Sequence, residues 1–221
     1  MDKVRPGLRH GAPESRLPVL IALLAAIGLQ LVIADDYTLI PRWPLITLEL
    51  LLIAVLVGLN PVRFTRSTVL GSYASRGLLA AMTLDNIVCA VDLAKHILAG
   101  DVSNDAAMLL TTGASIVITN VIIFGIWYWE VDRGGPFARL SGENPYPDFL
   151  FPQIENPHLA EADWQPRFVD YLYISLTNAL SFSAGDTAPM ARWAKVLMMI
   201  QSLIALSTAG LVIARAVNVL R

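Results

Sequence analysis

The sequence predicts an all-helical protein that crosses a membrane several times, with about five spans and one further polar helix near its C-terminal end. The first observation behind this prediction is composition: 55% of the 221 residues are hydrophobic and only 15% are charged, and the mean hydropathy is +0.58. Soluble domains are about 45–50% apolar even when glycine is counted. The second observation is that the apolar residues form long runs, as in helices that cross a bilayer. The predicted fold class is therefore all-α, a polytopic helical membrane protein.

Five apolar runs are long enough, or nearly so, to cross about 30 Å of hydrocarbon. They comprise residues 17–34, 44–59, 78–99, 108–129 and 193–219, of which the second is short. Turn-forming pairs such as Asn60-Pro61 and Gly100-Asp101 separate them. The predicted organisation is a polar N-terminal tail (1–16), four transmembrane helices in two hairpins (17–129), an acidic proline-rich loop (130–167), and a C-terminal unit with the polar helix and the final span (168–221).

The Lys and Arg residues predict how the spans are oriented. Four lie in the first 16 residues and three in the loop 60–77, against one in the loop 35–43 and none in 100–107. Short loops rich in Lys and Arg stay in the cytoplasm. The tail and the loop 60–77 are therefore expected on the cytoplasmic side of the cell membrane, and four crossings would return the loop 130–167 to that side.

Several function classes are not indicated by the sequence. A net charge of -2 and a pI near 5.9 provide no basic surface for nucleic acid. Cys89 is the single cysteine, which excludes an intrachain disulfide. The histidines His10, His96 and His158 lie in separate segments, and no metal-ligand spacing, phosphate-binding glycine loop or nucleophile motif is present in the sequence. We expect no enzyme activity, no metal and no cofactor, and the expected partner is the lipid bilayer.

The stretch FVDYLYISLTNALSFSAGDTAP, residues 168–189, is unusually polar for a segment beside an apolar span. As a helix it places Tyr173, Thr177 and Ser181 near one face, which makes a stripe of hydroxyl groups. Such a stripe requires water or protein beside it. Two structures meet this requirement: a re-entrant hairpin beside a pore, or an ordinary packed helix whose hydroxyls bond to neighbouring helices or to its own carbonyls.

The order of residues in this stretch resembles the pore-loop cation channels, of the kind seen in small potassium channels. Leu172-Tyr173-Ile174-Ser175 stands where the Leu-Tyr-Phe-Ser of their pore helix would, and residues 181–186 stand where the filter Thr-Val-Gly-Tyr-Gly-Asp would. Pro189 follows at the expected offset, and 193–219 stand as the inner helix. The resemblance implies pore-helix residues Tyr173, Ser175, Thr177 and Asn178, and a filter-like segment Ser181, Phe182, Ser183, Ala184, Gly185 and Asp186. It also implies monovalent cations as ligands and a homotetramer as the assembly.

The filter-like segment departs from the channel pattern in its glycines. The glycines of a potassium filter let successive carbonyls point at the pore axis, and here only Gly185 remains. Ser183 and Ala184 would each cost about 1–2 kcal/mol in a left-handed conformation. The resemblance therefore implies weakly selective or degenerate ion permeation, and the alternative is a non-conducting helical transport or scaffold protein.

The orientation of the hairpin is left open at this point. Potassium channels insert it from outside the cell, whereas the loop 130–167 is predicted to be cytoplasmic. Either an earlier run does not span, or the hairpin re-enters from the cytoplasm, or the segment crosses fully. The chain as a whole, through residues 127–130, 133–136 and 148–152, is also similar to bacterial multi-pass membrane proteins without an assigned activity.

The run 78–99 carries polar side chains that a lipid-facing helix would not tolerate. Asp85 and Asp92 are seven residues apart, so in a helix they share a face at a separation of about 10 Å. His96 follows one turn after Asp92. Because carboxylates inside a membrane are costly, one interpretation is a ladder of acids that binds a cation or relays protons.

The alternative interpretation of the same run is a structural network. In it Asp85 and Asn86 bond to Asn120 of the fourth run, and Asp92 pairs with Lys95. The candidate intramembrane polar residues are thus Asp85, Asn86, Asp92, Lys95, His96, Asn120 and Gln201, with Asn178 in the same interior.

Overall fold

The structure is a computed structural model that describes residues 14–33, 43–59, 69–100, 106–142, 144–161, 163–181 and 185–219. Of these residues 82% are helical, in eight α-helices and two short 3-10 helices, Asp132–Gly134 and Pro157–Leu159. The all-helical fold class is therefore confirmed.

The helices follow one another with short connections in the described part of the chain. In chain order they are α1 (Leu17–Gln30), α2 (Trp43–Leu59), α3 (Val69–Ala99), α4 (Ala106–Val131), α5 (Pro136–Ser141), α6 (Pro152–Glu155), α7 (Phe168–Ser181) and α8 (Arg192–Val219). Two strands of two residues each, β1 (Phe149–Leu150) and β2 (Ala188–Pro189), pair in antiparallel register. Proline stands in the first turn of α1, α5 and α6, where its fixed φ suits the helix and no hydrogen bond is lost.

Three helices, α3, α4 and α8, are long and apolar enough to cross a membrane, whereas α1 and α2 are shorter apolar helices. With 14 and 17 residues, α1 and α2 extend about 21 and 26 Å. The predicted run 78–99 was too short at its start, because α3 already begins at Val69. The nine added residues contain no proline, so the helix continues beyond the apolar run into the segment expected to be a loop.

Helix α4 is the centre of the bundle, packing against α1, α3, α7 and α8. Close approach is possible because two of its contacts are made at glycine. A Cβ at Gly113 would come within 2.7 Å of a Val212 methyl carbon in α8, and one at Gly125 within 3.1 Å of the Leu172 Cα in α7. Gly113 near the start of α4 lies beside Val212 near the end of α8, and Tyr128 near the end of α4 bonds to Gln201 in the first half of α8, so the two helices are antiparallel.

One end of the bundle, called the Asp132 end below, is where α4 finishes and where α7 and α8 both begin. Glu14, just before α1, joins two of these elements there, since its carboxylate accepts the indole N–H of Trp129 at 2.8 Å and the Phe168 backbone N–H at 2.7 Å. Trp193 of α8 donates to Asp148 at 3.1 Å. The Phe149 ring lies 6.3 Å from Tyr171 and 5.9 Å from Trp193, between centroids.

Helix α7 extends from the Asp132 end to about the middle of α4 and α8. Its Ala179 packs in one cluster with Val121 of α4 and Ala205 of α8. Beyond the tip, Gly185 again lies beside the helix, since a Cβ placed on it would be 3.6 Å from the Tyr173 side chain and 3.7 Å from the Thr177 hydroxyl oxygen. Strand β2 then pairs with β1 at the Asp132 end. The segment from Phe168 to Arg192 therefore begins and ends at the same end of the bundle.

Candidate functional site

Helices α4, α7 and α8 share a group of buried polar side chains, called the Gln201 network below (Tyr128, Ser175, Asn178 and Gln201). The Gln201 side-chain oxygen accepts from the Tyr128 hydroxyl at 2.6 Å and from the Asn178 amide at 2.9 Å. Its amide nitrogen donates to the Ser175 hydroxyl at 2.7 Å and to the Ser175 carbonyl at 3.0 Å. Ser175 in turn donates to the Val121 carbonyl at 2.6 Å. The network joins the three helices in the interior of the bundle.

The predicted pore-helix residues consequently divide between two faces of α7. Ser175 and Asn178 are buried against α4 and α8, and Asn178 also donates to the Met198 carbonyl at 3.0 Å. Tyr173 lies on the opposite face and is 53% exposed. Thr177 is partly exposed, and its hydroxyl donates back to the Tyr173 and Ile174 carbonyls, both at 3.0 Å.

The filter-like segment is described only at its two ends. Ser181 and Asp186 are exposed, and Gly185 has a φ of 64°, in the left-handed region that glycine adopts without steric cost. Phe182, Ser183 and Ala184 lie outside the described residues.

The polar residues of α3 are distributed along the interior of the bundle. Asn86 donates to the Ile116 carbonyl at 2.9 Å and accepts from Asn120 at 3.2 Å, so these two amides connect α3 with α4. The Asp85 carboxylate accepts a weak bond from the Cys89 thiol at 3.8 Å. Gln201 is separate from this group, in the α4, α7 and α8 network.

Asp92 is buried. Among the described residues its ion-pair contact is with His96, whose Nδ1 atom lies 3.8 Å from the Asp92 carboxylate. The same nitrogen is 2.9 Å from the Asp92 carbonyl oxygen. Lys95, the partner expected from the sequence, is exposed instead. A long, flexible cationic side chain gains more from water than from a buried carboxylate, which explains its outward position.

Two polar residues that sequence reasoning missed, Gln30 and Glu49, face this part of α3. Both are buried, Glu49 completely, and the Gln30 amide donates to the Glu49 Oε1 atom at 3.3 Å. Asp85 lies near enough to act on Glu49 electrostatically. Within the described residues the Glu49 Oε2 atom has no hydrogen-bond partner. The signal in the sequence was the isolated acid in the apolar run 44–59, because such a residue is costly unless it faces an interior.

At the Asp132 end, a second group of polar residues that sequence reasoning missed surrounds a completely buried carboxylate. Asp132 accepts the Tyr171 hydroxyl at 2.6 Å, the backbone N–H groups of Asp148 at 3.0 Å and Phe149 at 3.4 Å, and Arg133 Nε at 3.4 Å. Asp148 accepts the Arg133 backbone N–H at 2.7 Å. Burial raises the pKa of the Asp148 carboxyl above its ordinary value, although that hydrogen bond opposes the shift.

Arg139 completes this group by closing the end of α4. It donates to the Trp129 carbonyl at 2.6 Å and to the Asp132 carbonyl at 3.0 Å, so it caps carbonyls that the helix end leaves unpaired. Its guanidinium lies 5.7 Å from the Trp129 ring centroid and 5.2 Å from that of Tyr171, within the range of cation–π attraction. The predicted loop 130–167 is in this way folded onto the bundle through buried charges.

Similarity to known proteins adds nothing to this geometry. No protein-family model, no curated protein and no solved structure matches the chain. In the part of the chain that the structure describes, no group of three or more His, Cys, Asp or Glu side chains is arranged to hold a metal ion.

Proposed function

We propose that the protein is an integral membrane protein in which residues 168–192 form a re-entrant hairpin beside a weakly selective cation path. The observation that carries this proposal is the position of both ends of the segment at the Asp132 end, where Glu14 bonds to Phe168 and Asp148 bonds to Trp193. A helix that enters a membrane and returns on the same side is the arrangement of the pore-loop channels that this stretch resembles.

The length and direction of α7 support the proposal. Fourteen residues extend about 21 Å, which is less than the roughly 30 Å thickness of the hydrocarbon. The C-terminal end of α7 therefore lies at mid-depth, near Val121 and Ala205. The last carbonyls of a helix carry partial negative charge, so this tip favours a cation in the filter-like segment that follows.

The outward face of α7 supports assembly into an oligomer. Tyr173 and Ser181 are exposed, Thr177 is partly exposed, and Asp186 follows them on the exposed return. In a single copy embedded in lipid these groups would face hydrocarbon, which is unfavourable for hydroxyls and more so for a carboxylate. Further copies around a shared aqueous path would remove this cost, and the resemblance to potassium channels favours four.

The charge at the Asp132 end supports an orientation. Arg16, Arg76 and Arg139 act electrostatically on Glu130 near the end of α4, Arg133 follows that helix, and Arg192 begins α8. Such an excess favours the cytoplasmic side of the cell membrane. The hairpin then enters from the cytoplasm, opposite to the potassium channels. Because Gly185 is the one filter glycine in the sequence, we propose weak discrimination between potassium and sodium.

A second candidate, a non-conducting helical transport or scaffold protein, is favoured by the Gln201 network. The described inner face of α7 uses its polar groups in bonds to α4 and α8, as a packed structural helix would. This candidate requires no path along the outward face.

Cation flux into liposomes tests the proposal against this candidate. The reconstituted protein should carry potassium and sodium at rates within about tenfold of each other, because a carbonyl cage of the potassium type is not available. Ser181→Ala and Asp186→Asn should each change the flux, since they alter the helix tip and the mouth of the return. Thr111→Ala and Glu155→Gln are matched controls, because both residues are exposed and lie outside the hairpin.

Three outcomes separate the candidates. Flux that responds to the two hairpin variants but not to the two controls supports the pore hairpin. Strong potassium selectivity contradicts the interpretation of the filter-like segment. Absence of flux in folded wild-type protein and in all variants rejects the pore and leaves the non-conducting protein.

A further inference from the structure

Glu49 is the single acid of the apolar helix α2, and it is turned into the bundle. The neighbouring Leu48, Leu50 and Leu51 are between 46% and 61% exposed, whereas Glu49 is completely buried. The Gln30 amide of α1 donates to its Oε1 atom at 3.3 Å, and its Oε2 atom has no hydrogen-bond partner among the described residues. An ionised carboxylate in this position has a buried charge that its surroundings do not satisfy, which is unfavourable.

The charged groups that the surrounding helices provide do not offset this charge. Helix α3 contributes a second acid, Asp85, which acts on Glu49 electrostatically and accepts a weak bond from the Cys89 thiol. Arg16, which precedes α1, is bound to an α2 carbonyl seven residues beyond Glu49, or about two turns away. Helix α4 has no charged residue between 106 and 129. In the described structure the charged group that faces Glu49 is therefore another carboxylate.

The two acids lie near the middle of the bundle. Ser75 of α3 bonds to Glu130 at the Asp132 end. Asp85 follows Ser75 by ten residues, which is about 15 Å along the helix, or half of the roughly 30 Å of hydrocarbon. Two ionised carboxylates at this depth repel each other where solvent does not screen them.

A proton is the ligand that this arrangement fits. Cations such as Ca²⁺ take six or more oxygen ligands, whereas a proton requires one carboxylate oxygen, and the Oε2 atom of Glu49 is available. One proton reduces the charge of the pair from two to one. Two carboxylates that share a site hold such a proton more firmly than either does alone.

We propose that Glu49 and Asp85 form an exchangeable proton-binding site in the middle of the bundle, with the Oε2 atom of Glu49 as the atom that takes up the proton. The proton comes from the aqueous phase and returns to it, so the pair alternates between one negative charge and two. The inference rests on the membrane location in the proposed function, but it does not depend on ion conduction along α7.

Modification by dicyclohexylcarbodiimide, read by peptide mass spectrometry of the protein in detergent, tests the site. This apolar reagent adds to a protonated carboxyl group. The acid proton moves to a reagent nitrogen, the carboxyl oxygen bonds to the central carbon, and acyl transfer to nitrogen leaves a stable acylurea. We expect modification of Glu49 near pH 7, at a rate that falls about tenfold by about pH 9 as the proton is lost. Glu155 and Asp163 are exposed acids and should stay unmodified.

Replacing the second acid tests whether the proton belongs to the pair. Asp85→Asn should slow the modification of Glu49 at neutral pH about tenfold, because loss of the nearby negative charge makes an ionised Glu49 less costly. Asp92→Asn is the matched control, since Asp92 is a buried acid of the same helix two turns further on. It should leave the rate unchanged.

Infrared spectroscopy covers the cases in which a variant fails to fold or the reagent does not reach Glu49. Folded wild-type protein should have the C=O stretch of a protonated carboxylic acid, which shifts in D₂O and disappears reversibly as the pH is raised. Folded Glu49→Gln should lack this band.

A band that titrates in this way supports the site even without modification. A band that ignores pH and D₂O identifies a permanently protonated structural acid and overturns the inference. Absence of both the band and the modification overturns it as well, and so does an unchanged rate in folded Asp85→Asn. These measurements contain no flux, so their outcome is separate from that of the pore proposal.

Discussion

Among the residues that the structure describes, the carboxylates of Asp132 and Glu49 are completely buried, and their surroundings differ. Asp132 lies where α4 ends and accepts bonds from Tyr171, Arg133 and two backbone N–H groups. Glu49 lies in α2, receives one bond from Gln30, and has one oxygen without a partner in the described structure. A buried acid with all its bonds made holds elements together, whereas a buried acid with unused acceptor capacity adds little to stability and is available for other chemistry.

The same difference separates the two sides of the bundle. On the side of α4, α7 and α8, Gln201 uses both ends of its amide in bonds between 2.6 and 3.0 Å. On the side of α2 and α3, Asn120 donates to Asn86, but its own oxygen has no partner among the described residues. The polar groups on the α4, α7 and α8 side therefore hold the helices together. The α2 and α3 side retains buried polar groups whose presence is not explained by packing alone.

Asp132→Asn is expected to have the largest effect on stability, because Asp132 is the more fully bonded of the two buried acids. The amide oxygen of Asn can replace only one of the two carboxylate oxygens, so either the Tyr171 hydroxyl or the two backbone N–H groups lose their acceptor. We expect a loss of about 3–5 kcal/mol in the free energy of unfolding. The measurement is unfolding by SDS titration in a mild detergent. Asp163→Asn, the same change at an exposed site, should have no measurable effect. A loss under about 1 kcal/mol at Asp132 would mean that its bonds do not hold the end of the bundle.

Gln201→Leu should have a smaller effect, because it removes a neutral partner. It leaves the buried Tyr128 hydroxyl without an acceptor, and we expect a loss of about 1–3 kcal/mol. Adding Tyr128→Phe removes that unpaired hydroxyl, so the double variant should lose less than the sum of the two single variants. Ser207→Ala is the control on the same helix, since the bonds of this exposed hydroxyl in the described structure are to the Leu203 and Ile204 carbonyls of its own helix. Strict additivity would contradict a coupled network.

Glu49→Gln should have the smallest effect and sharpens the contrast with Asp132. The amide oxygen still accepts from Gln30, and the change removes a charge close to Asp85. We expect the free energy of unfolding to stay within about 1 kcal/mol of wild type, or to rise. Measured in the same SDS titration, a loss as large as that of Asp132→Asn would show that both acids are structural and would remove the distinction between the two regions.

The outline of the fold could be predicted because apolar length is a local property of the chain. The runs at 17–34, 44–59, 108–129 and 193–219 each coincide with a helix to within a few residues. The start of α3 at Val69 was not predicted. A polar stretch of sequence can be a loop or the end of a helix that extends beyond the apolar core, and polarity alone does not distinguish the two. The Asn86–Asn120 bond belongs to the structural network that was one of the two alternatives left open by the sequence. That alternative also expected Asp85 to bond to Asn120, whereas the bond described for Asp85 is with Cys89.

The residues that carry the candidate sites were predictable only in part. Composition marked α7 as a polar helix, but only packing on α4 and α8 decided that Ser175 and Asn178 face inward while Tyr173 and Ser181 face outward. Glu49 was not singled out within the apolar run 44–59. The partners of Asp132 come from segments up to 39 residues away. Burial and hydrogen bonding of a polar group depend on which helix lies opposite, and that is a property of the assembled bundle.

What the sequence alone determined is therefore the set of apolar helices, the polar character of α7, and the absence of a nucleophile or metal-ligand motif. Each of these features follows from the types of residue and their order in the sequence. Only the tertiary structure decided that α7 and α8 begin at the same end of the bundle, that the segment before them folds around Asp132, and that Arg16 and Glu130 meet at one cavity. These relations join residues far apart in the chain, and they arise because buried charges and amides must find partners wherever the packed helices place them.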